Sequence, residues 1–242
     1  LILDEADEML KMGFKEELDA ILQTSPKEKQ TLLFSAIMDR TVERIAREYM
    51  RTPKEISTST KNQGSAQINH EYYMVQARDK YETLKRILDV HPNIYGIIFC
   101  NTRLETQNIA AKLMKEKYTA APISGELSQS QREQVMAQFR SRQIQILVAT
   151  DVAARGIDVK ELSHVIHYGL PTKTDHYTHR SGRTGRANST GTSIAIVHVR
   201  EKYMLRMIEQ KSGITFTGKV IPTAKEICTA QLLQLIEKIT TA

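Results

Sequence analysis

The amino-acid sequence predicts an α/β protein, a parallel β-sheet with helices packed on both of its faces. Three observations carry that expectation. Short apolar runs recur with helical patterns between them, as successive βα units require. The runs are apolar at consecutive positions, as strands buried on both faces are. A polar, aperiodic stretch, 57–67 (STSTKNQGSAQ), separates a short first block from a longer second one.

Taken in order, Leu1–Asp4 and Thr31–Ala36 read as short buried strands, and the periodicity predicts helices over Phe14–Gln23 and Asp39–Met50. Arg51, Thr52 and Pro53 end the second helix, because proline cannot continue one, and Lys54–Thr58 fits one more short strand. Beyond the linker, strands are expected at Ile68–Gln76, Gly96–Asn101, Ala121–Ser124, Gln145–Thr150, His164–Tyr168 and Thr192–Val199. Helices are expected at Arg78–His91, Arg103–Lys117, Ser128–Arg140, Lys173–Ser181 and Glu201–Lys211. A last amphipathic helix, Ala224–Ile239, follows Pro222. Two or three strands cannot close a doubly wound domain, so the first block reads as an incomplete domain, marginally stable alone. Position 1 is not Met and the chain opens on a strand, so it reads as a fragment.

The 242 residues carry 40% apolar and 26% charged side chains, ordinary for a soluble globular chain. No run reaches the roughly 18 apolar residues of a membrane span, and no signal peptide opens the chain. Cys100 and Cys228 cannot staple a scaffold of this size, which suggests a reducing compartment. Charge is uneven: residues 1–60 hold 9 Lys/Arg against 12 Asp/Glu, whereas residues 61–219 hold 23 against 14. A positive middle block suits a polyanion such as nucleic acid, and equally a generic basic surface.

Three stretches carry chemistry. Asp4-Glu5-Ala6-Asp7 falls where a strand ends and a helix begins, the end at which open α/β sheets bind ligands. Carboxylates there suit Mg²⁺ on Asp4 and a water polarised by Glu5; an acidic first helical turn is the plainer alternative. His179-Arg180-Ser181-Gly182-Arg183-Thr184-Gly185-Arg186 spaces three arginines by three, with glycines between. That spacing lets planar guanidinium groups converge on a phosphate, rather than forming a solvated basic turn. Thr150–Asp158 follows an apolar strand; its hydroxyl, small residues and carboxylates suit a phosphate backbone and a ribose, or a simple helix cap.

Together these stretches resemble the DEAD-box RNA helicases of superfamily 2, of bacterial type. Asp4–Asp7 matches the Asp-Glu-Ala-Asp box, Ser35-Ala36-Ile37 the Ser-Ala-Thr motif, and Ile97–Arg103 (IIFCNTR) motif IV. Gln129 and Arg132 match Gln-x-x-Arg, Thr150–Asp158 motif V and His179–Arg186 motif VI, in the family's order and spacing over nearly the whole chain.

The resemblance implies RecA-like folds: residues 1–58 as the end of a first, ATP-binding domain, 59–67 as linker, 68–219 as the second helicase domain, and 220–242 as the start of a carboxyl-terminal extension. It implies ATP and Mg²⁺ as cofactors, with Asp4 and Glu5 at the metal and Glu5 positioning the attacking water. Asp7 would link to Ser35 and His179. Arg183 and Arg186 would serve as arginine fingers on ATP, and Asp158 would meet its ribose. Thr102, Arg103, Arg132 and Thr150 would hold RNA phosphates, gripping the backbone without regard to sequence. A cytoplasmic place is implied, and accessory regions that dimerise in some bacterial relatives follow the core.

Departures accompany the likeness. No G-x-x-x-x-G-K-S/T occurs in the chain, so these residues alone are expected to hydrolyse no ATP and to act as an RNA-binding module or with a partner. Ile37 stands for the usual Thr and would weaken coupling of hydrolysis to unwinding; Gly169 stands where an acidic residue is frequent. Tyr72, Tyr73, Tyr81 and Cys100 read as packing residues, and the histidines other than His179 lack metal-site spacing. The apolar face of Ile227, Leu232, Leu233, Ile236 and Ile239 is expected to dock on its own domain.

Overall fold

A computed structural model describes residues 1–26, 28–35, 38, 40–57, 67–154, 159, 162–185 and 189–240. The chain divides into two compact units, Leu1–Thr58 and Ser59–Ala242.

In the first unit, β1 (Ile2–Leu3) and β2 (Leu32–Leu33) pair in parallel. Around them lie α1 (Ala6–Lys11), α2 (Lys15–Thr24) and α3 (Arg40–Tyr49). Leu3, Leu18, Leu22 and Ile45 form the core, with Met9, Leu10, Leu33 and Tyr49 packed against it. Tyr49 donates to Asp19 Oδ1 at 3.0 Å, tying α3 to α2. So small a sheet covers little: Ile2 is 64% and Phe34 54% exposed. Lys54–Ser57, expected as a strand, is not one; β2 has β1 on one side and no described partner on the other. Thr58 of that expected strand lies outside the described residues.

The second unit is built on seven parallel strands in the order β5-β6-β4-β7-β8-β3-β9. In chain order these are β3 (Ile68–Val75), β4 (Gly96–Phe99), β5 (Ala120–Ile123), β6 (Ile146–Ala149), β7 (His164–His167), β8 (Gly191–His198) and β9 (Thr217–Lys219). The helices are α4 (Lys80–Val90), α5 (Arg103–Lys115), α6 (Gln129–Arg140), α7 (Thr174–Ser181), α8 (Lys202–Ser212) and α9 (Ala224–Thr240). Leu84, Ile87 and Leu88 of α4 and Ile109, Ala110 and Leu113 of α5 pack on one face with Ile98, Val148 and Ile166. On the other face, Met136 and Phe139 of α6 meet Phe99 and Leu147, and Tyr177 of α7 and Leu205 and Ile208 of α8 meet Ala195 and Val197. The sheet is therefore covered on both sides, as its continuous apolar strands demand.

Tyr73 is in the core and Tyr72 and Tyr81 pack against it, while Cys100 is fully buried and Cys228 exposed. Burial pushes the Cys100 thiol up to about 12. The final helix corrects one expectation. α9 lies along α4, anchored by Arg86 Nη1 on Pro222 O at 3.3 Å and Gln234 on Asn93 at 2.6 Å. It docks through half-buried Ile227, Ala230 and Gln234, leaving Leu232, Leu233, Ile236 and Ile239 55–69% exposed. Among the described residues, no helix is long and apolar enough to cross a membrane.

Candidate functional site

In the first unit the acidic stretch opens where β1 stops. Leu3 is buried, and Asp4 and Glu5 immediately beyond it are exposed. Glu5 sits at φ 52°, in the left-handed region, with its amide held by Asp4 Oδ1 at 3.0 Å. For a residue with a Cβ that conformation costs about 1–2 kcal/mol, and it turns the chain sharply from strand into helix. Ala6 N donates to Phe34 O at 3.1 Å, fixing the start of α1 beside the end of β2. Asp7 points inward instead: it is 1% exposed and accepts the Ser35 hydroxyl at 2.9 Å.

The box thus separates into two outward carboxylates and one structural one. Adjacent exposed carboxylates beyond a strand fit Mg²⁺, which takes one or two of them and fills its octahedron with waters and phosphate oxygens. Among the described residues, no group of three or more His, Cys, Asp or Glu could hold a metal by itself. Ile37 lies outside the described residues.

In the second unit all strands point the same way, so the sheet has a carboxyl end and an amino end. Four sequence-predicted residues gather at the carboxyl end, beyond the adjacent strands β5, β6 and β4. Thr102 caps α5, accepting Glu105 N at 3.1 Å, while Glu105 Oε2 accepts Asn101 N at 3.0 Å. Exposed Arg103 opens α5 and reaches toward the turn before α6; a Cβ on Gly125 would lie 3.8 Å from its Nη2. Ser128 starts α6 with a reciprocal capping box to Gln131, which sets Arg132 in the first turn. Thr150 closes β6, its hydroxyl accepting Ala153 N at 3.4 Å.

The turn after α7 lies at the other end. Thr184 Oγ1 donates to Leu162 O, just before β7, and Gly191 N, opening β8, donates to Gln67 O, just before β3. Gly185 has φ +66°, and a Cβ there would stand 2.6 Å from Ile68 Cγ1, so both conformation and space call for glycine. Half-buried His179 and Arg183 flank this end of α7. Asp158 and Arg186 lie outside the described residues.

Arg180 and Arg183 do not converge. Arg180 is buried, because side chains on a helix lean toward its amino terminus, and its guanidinium reaches back to the carboxyl end of the sheet. There Nε and Nη2 grip both oxygens of Asp151 at 2.5 and 2.8 Å. Nη1 donates to Gly169 O at 2.8 Å, Nη2 donates to Asn101 Oδ1 at 3.3 Å, and the group lies over the Phe99 ring at 5.1 Å. Burial raises the Asp151 carboxyl, but its bonds to Arg180, the guanidinium charge and His176 outweigh that and hold it below its usual range. A Cβ on Gly169 would fall 2.6 Å from Asn101 Nδ2, so the glycine leaves room for the amide that bridges Arg180 and Leu170 O.

Sequence reasoning missed Arg180 and Asp151 as a buried pair. Regular spacing hid which arginine turns inward; the one available signal was an Asp directly after an apolar strand.

The pattern of the helicase conserved C-terminal domain matches residues 79–188, and that of the DEAD/DEAH box helicase matches residues 1–45. The ATP-dependent RNA helicase DeaD of Mycobacterium tuberculosis is 40% identical over all 242 residues, which span 43% of it. The DEAD-box ATP-dependent RNA helicase CshA of Bacillus subtilis is 39% identical over the whole chain and 49% of its own length. The chain thus spans about half the length of the curated relatives it matches. S. cerevisiae Dbp5 bound to RNA and ADP BeF3 superposes with TM-score 0.80 at 28% identity, covering 97% of this chain and 62% of the Dbp5 chain in that structure. The E. coli DEAD-box protein SrmB, bound to regulator of ribonuclease activity A, gives TM-score 0.60 at 30% identity, covering 64% of this chain and 91% of the SrmB chain in that structure. The second unit's seven-stranded sheet is therefore RecA-like, and with the acidic box after β1 and the arginine turn after α7 in family order, the chain belongs to the DEAD-box helicases.

Proposed function

We propose that this protein is a cytoplasmic ATP-dependent RNA helicase that separates or remodels RNA duplexes as it hydrolyses ATP. The observation that carries the reading is the division of candidate residues between opposite ends of one parallel sheet. At the carboxyl end, Arg103 and Arg132 neutralise RNA phosphates while the Thr102 and Thr150 hydroxyls bond them; such contacts ignore base identity. At the amino end, Arg183 answers the charge that builds on the γ-phosphate; Arg186 and Asp158, outside the described residues, are assigned to the same phosphate and to the ribose. Asp4 and Glu5 would hold Mg²⁺, which would supply charge neutralisation. Glu5 orients the attacking water. Asp7, held by Ser35, keeps the box in place.

We assign residues 1–58 to the end of an ATP-binding RecA-like domain, 59–67 to a linker, 68–219 to the second domain and 220–242 to an extension that pairs with a second copy. Because the 242 residues contain no G-x-x-x-x-G-K-S/T, they are assigned RNA binding without turnover when alone. A chimera tests the whole reading: the segment that precedes the matched region in the M. tuberculosis relative is fused before Leu1. The chimera is expected to hydrolyse ATP faster with RNA than without and to separate a short duplex, and Glu5→Gln to abolish both. Hydrolysis indifferent to RNA would overturn the proposal.

A further inference from the structure

Three neighbouring strands of the second unit lead, at the carboxyl end, to exposed cations. β4 is followed by Arg103, β7 by Lys173, and β8 by Arg200 and Lys202. These strands are consecutive in the sheet, so the row from β4 to β8 spans about 10 Å.

The row ends on α8, which presents two adjacent exposed rows at i, i+4 spacing. One holds Lys202, Arg206 and Gln210; the other holds Tyr203, Met207 and Lys211. The buried side of the helix is Leu205, Ile208 and Ser212. Tyr203, in the first turn and so nearest the carboxyl end, is 62% exposed. The acidic residues of this stretch are engaged elsewhere: Glu201 Oε2 accepts His198 N at 2.9 Å and Glu209 Oε1 accepts Phe216 N at 3.0 Å. Among the described residues, Arg200, Lys202, Arg206 and Lys211 form no ion pair.

We propose that Tyr203 is a stacking platform for single-stranded RNA whose backbone follows the cations from Arg103 to Arg206. The proposal rests on the reading of the carboxyl end as an RNA track and extends it beyond the motif residues. Charge alone would also draw an acidic protein. An exposed aromatic face set among cations fits RNA better, because each base stacks while its flanking phosphates are neutralised.

Fluorescence anisotropy on the full chain tests this with oligouridines of about 5 and about 16 nucleotides, the range one or a few binding modules occupy. Tyr203→Ala is expected to weaken binding of the longer one roughly tenfold, the loss of one base stack, and to leave the shorter one unchanged. Tyr203→Phe keeps the ring and should bind both as the parent does, whereas Arg103→Ala should weaken both. If Tyr203→Ala binds the longer RNA as the parent does while Arg103→Ala still weakens it, the platform is overturned and the track stands. Weakening by Arg206→Glu without weakening by Tyr203→Ala would reduce α8 to a charged surface and overturn it too. If the unsubstituted chain binds neither length, the underlying RNA reading falls with it.

Discussion

Four buried elements are stitched together beneath the arginine turn by side chains far apart in sequence. His70 Nδ1 lies 2.8 Å from the Tyr177 hydroxyl, which lies 3.1 Å from Ser193 Oγ. Ser193 meets Ser181 at 2.8 Å, and His167 Nε2 lies 3.1 and 3.3 Å from these two serines. Among the described residues, His70 Nε2 and His167 Nδ1 are buried with no partner, and no carboxylate belongs to the network. The charged group facing it is Arg180, whose pair Asp151 is turned away to the guanidinium. A further proton would therefore be uncompensated. Burial lowers His70 to about 4, and burial, the Arg180 charge and His70 hold His167 well below 6.5. Both rings stay neutral in the fold, while the unfolded chain takes protons below about 6.5, so stability is complete above that pH and falls as pH drops toward 4. His70 alone accounts for a loss of ~3 kcal/mol over that window. Urea midpoints across it should fall with acid, and fall less steeply in His70→Gln; a midpoint flat with pH would contradict the neutral network. None of this was legible in the sequence. A histidine in an apolar strand looks the same whether its partner is 107 residues away or absent.

Among the elements, those with a strong period of their own were legible, and those made by their neighbours were not. The apolar cores of β4 and β6 and the stripes of α4 and α5 declared themselves. Thr217–Lys219 carries no alternating apolar pattern and becomes β9 through its pairing with β3 and the Lys219–Glu71 ion pair at 3.2 Å. Conversely, Lys54–Ser57 has strand-like composition without a described strand to pair with. α9 is the instructive case, since periodicity located its helix but not the side that docks. Its Leu232, Leu235, Ile236 and Ile239 recur at i, i+3, i+4 and i+7 on an exposed stripe, while its four charged residues cancel. Such a stripe, neutral and self-complementary, suits a second copy of itself. Light scattering should report a mass that rises with concentration for the parent and stays monomeric for Leu232→Glu with Ile236→Glu. Because these side chains are already in water, the pair should change thermal stability of the monomer by no more than about 0.5 kcal/mol.

For the molecule as a whole, the motif order located the proposed nucleotide and RNA residues along the chain, but not in space. The strand order β5-β6-β4-β7-β8-β3-β9 arises from crossovers that periodicity does not encode, and it sets Arg132, Thr150 and Arg103 beyond three adjacent strands, while the parallel sense of the sheet sends Arg183, after α7, to the other rim. Charge was legible at this scale: 23 Lys/Arg against 14 Asp/Glu between residues 61 and 219. What composition cannot say is how many of those cations meet phosphate, and salt dependence counts them. For single strands, each neutralised phosphate contributes a slope of about −0.7 to log K against log salt. Arg103 and Arg132 alone give about −1.4, and Lys173, Arg200, Lys202 and Arg206 added to them give about −4.2. Titrations of a long oligouridine between low and moderate salt should return the steeper value for the parent chain. They should return the shallower one when Lys173, Arg200, Lys202 and Arg206 are all changed to Gln, with Arg103→Ala removing about 0.7 from either. A parent slope near −1.4 would confine the track to the family's own residues, because the cations on α8 would then meet only solvent.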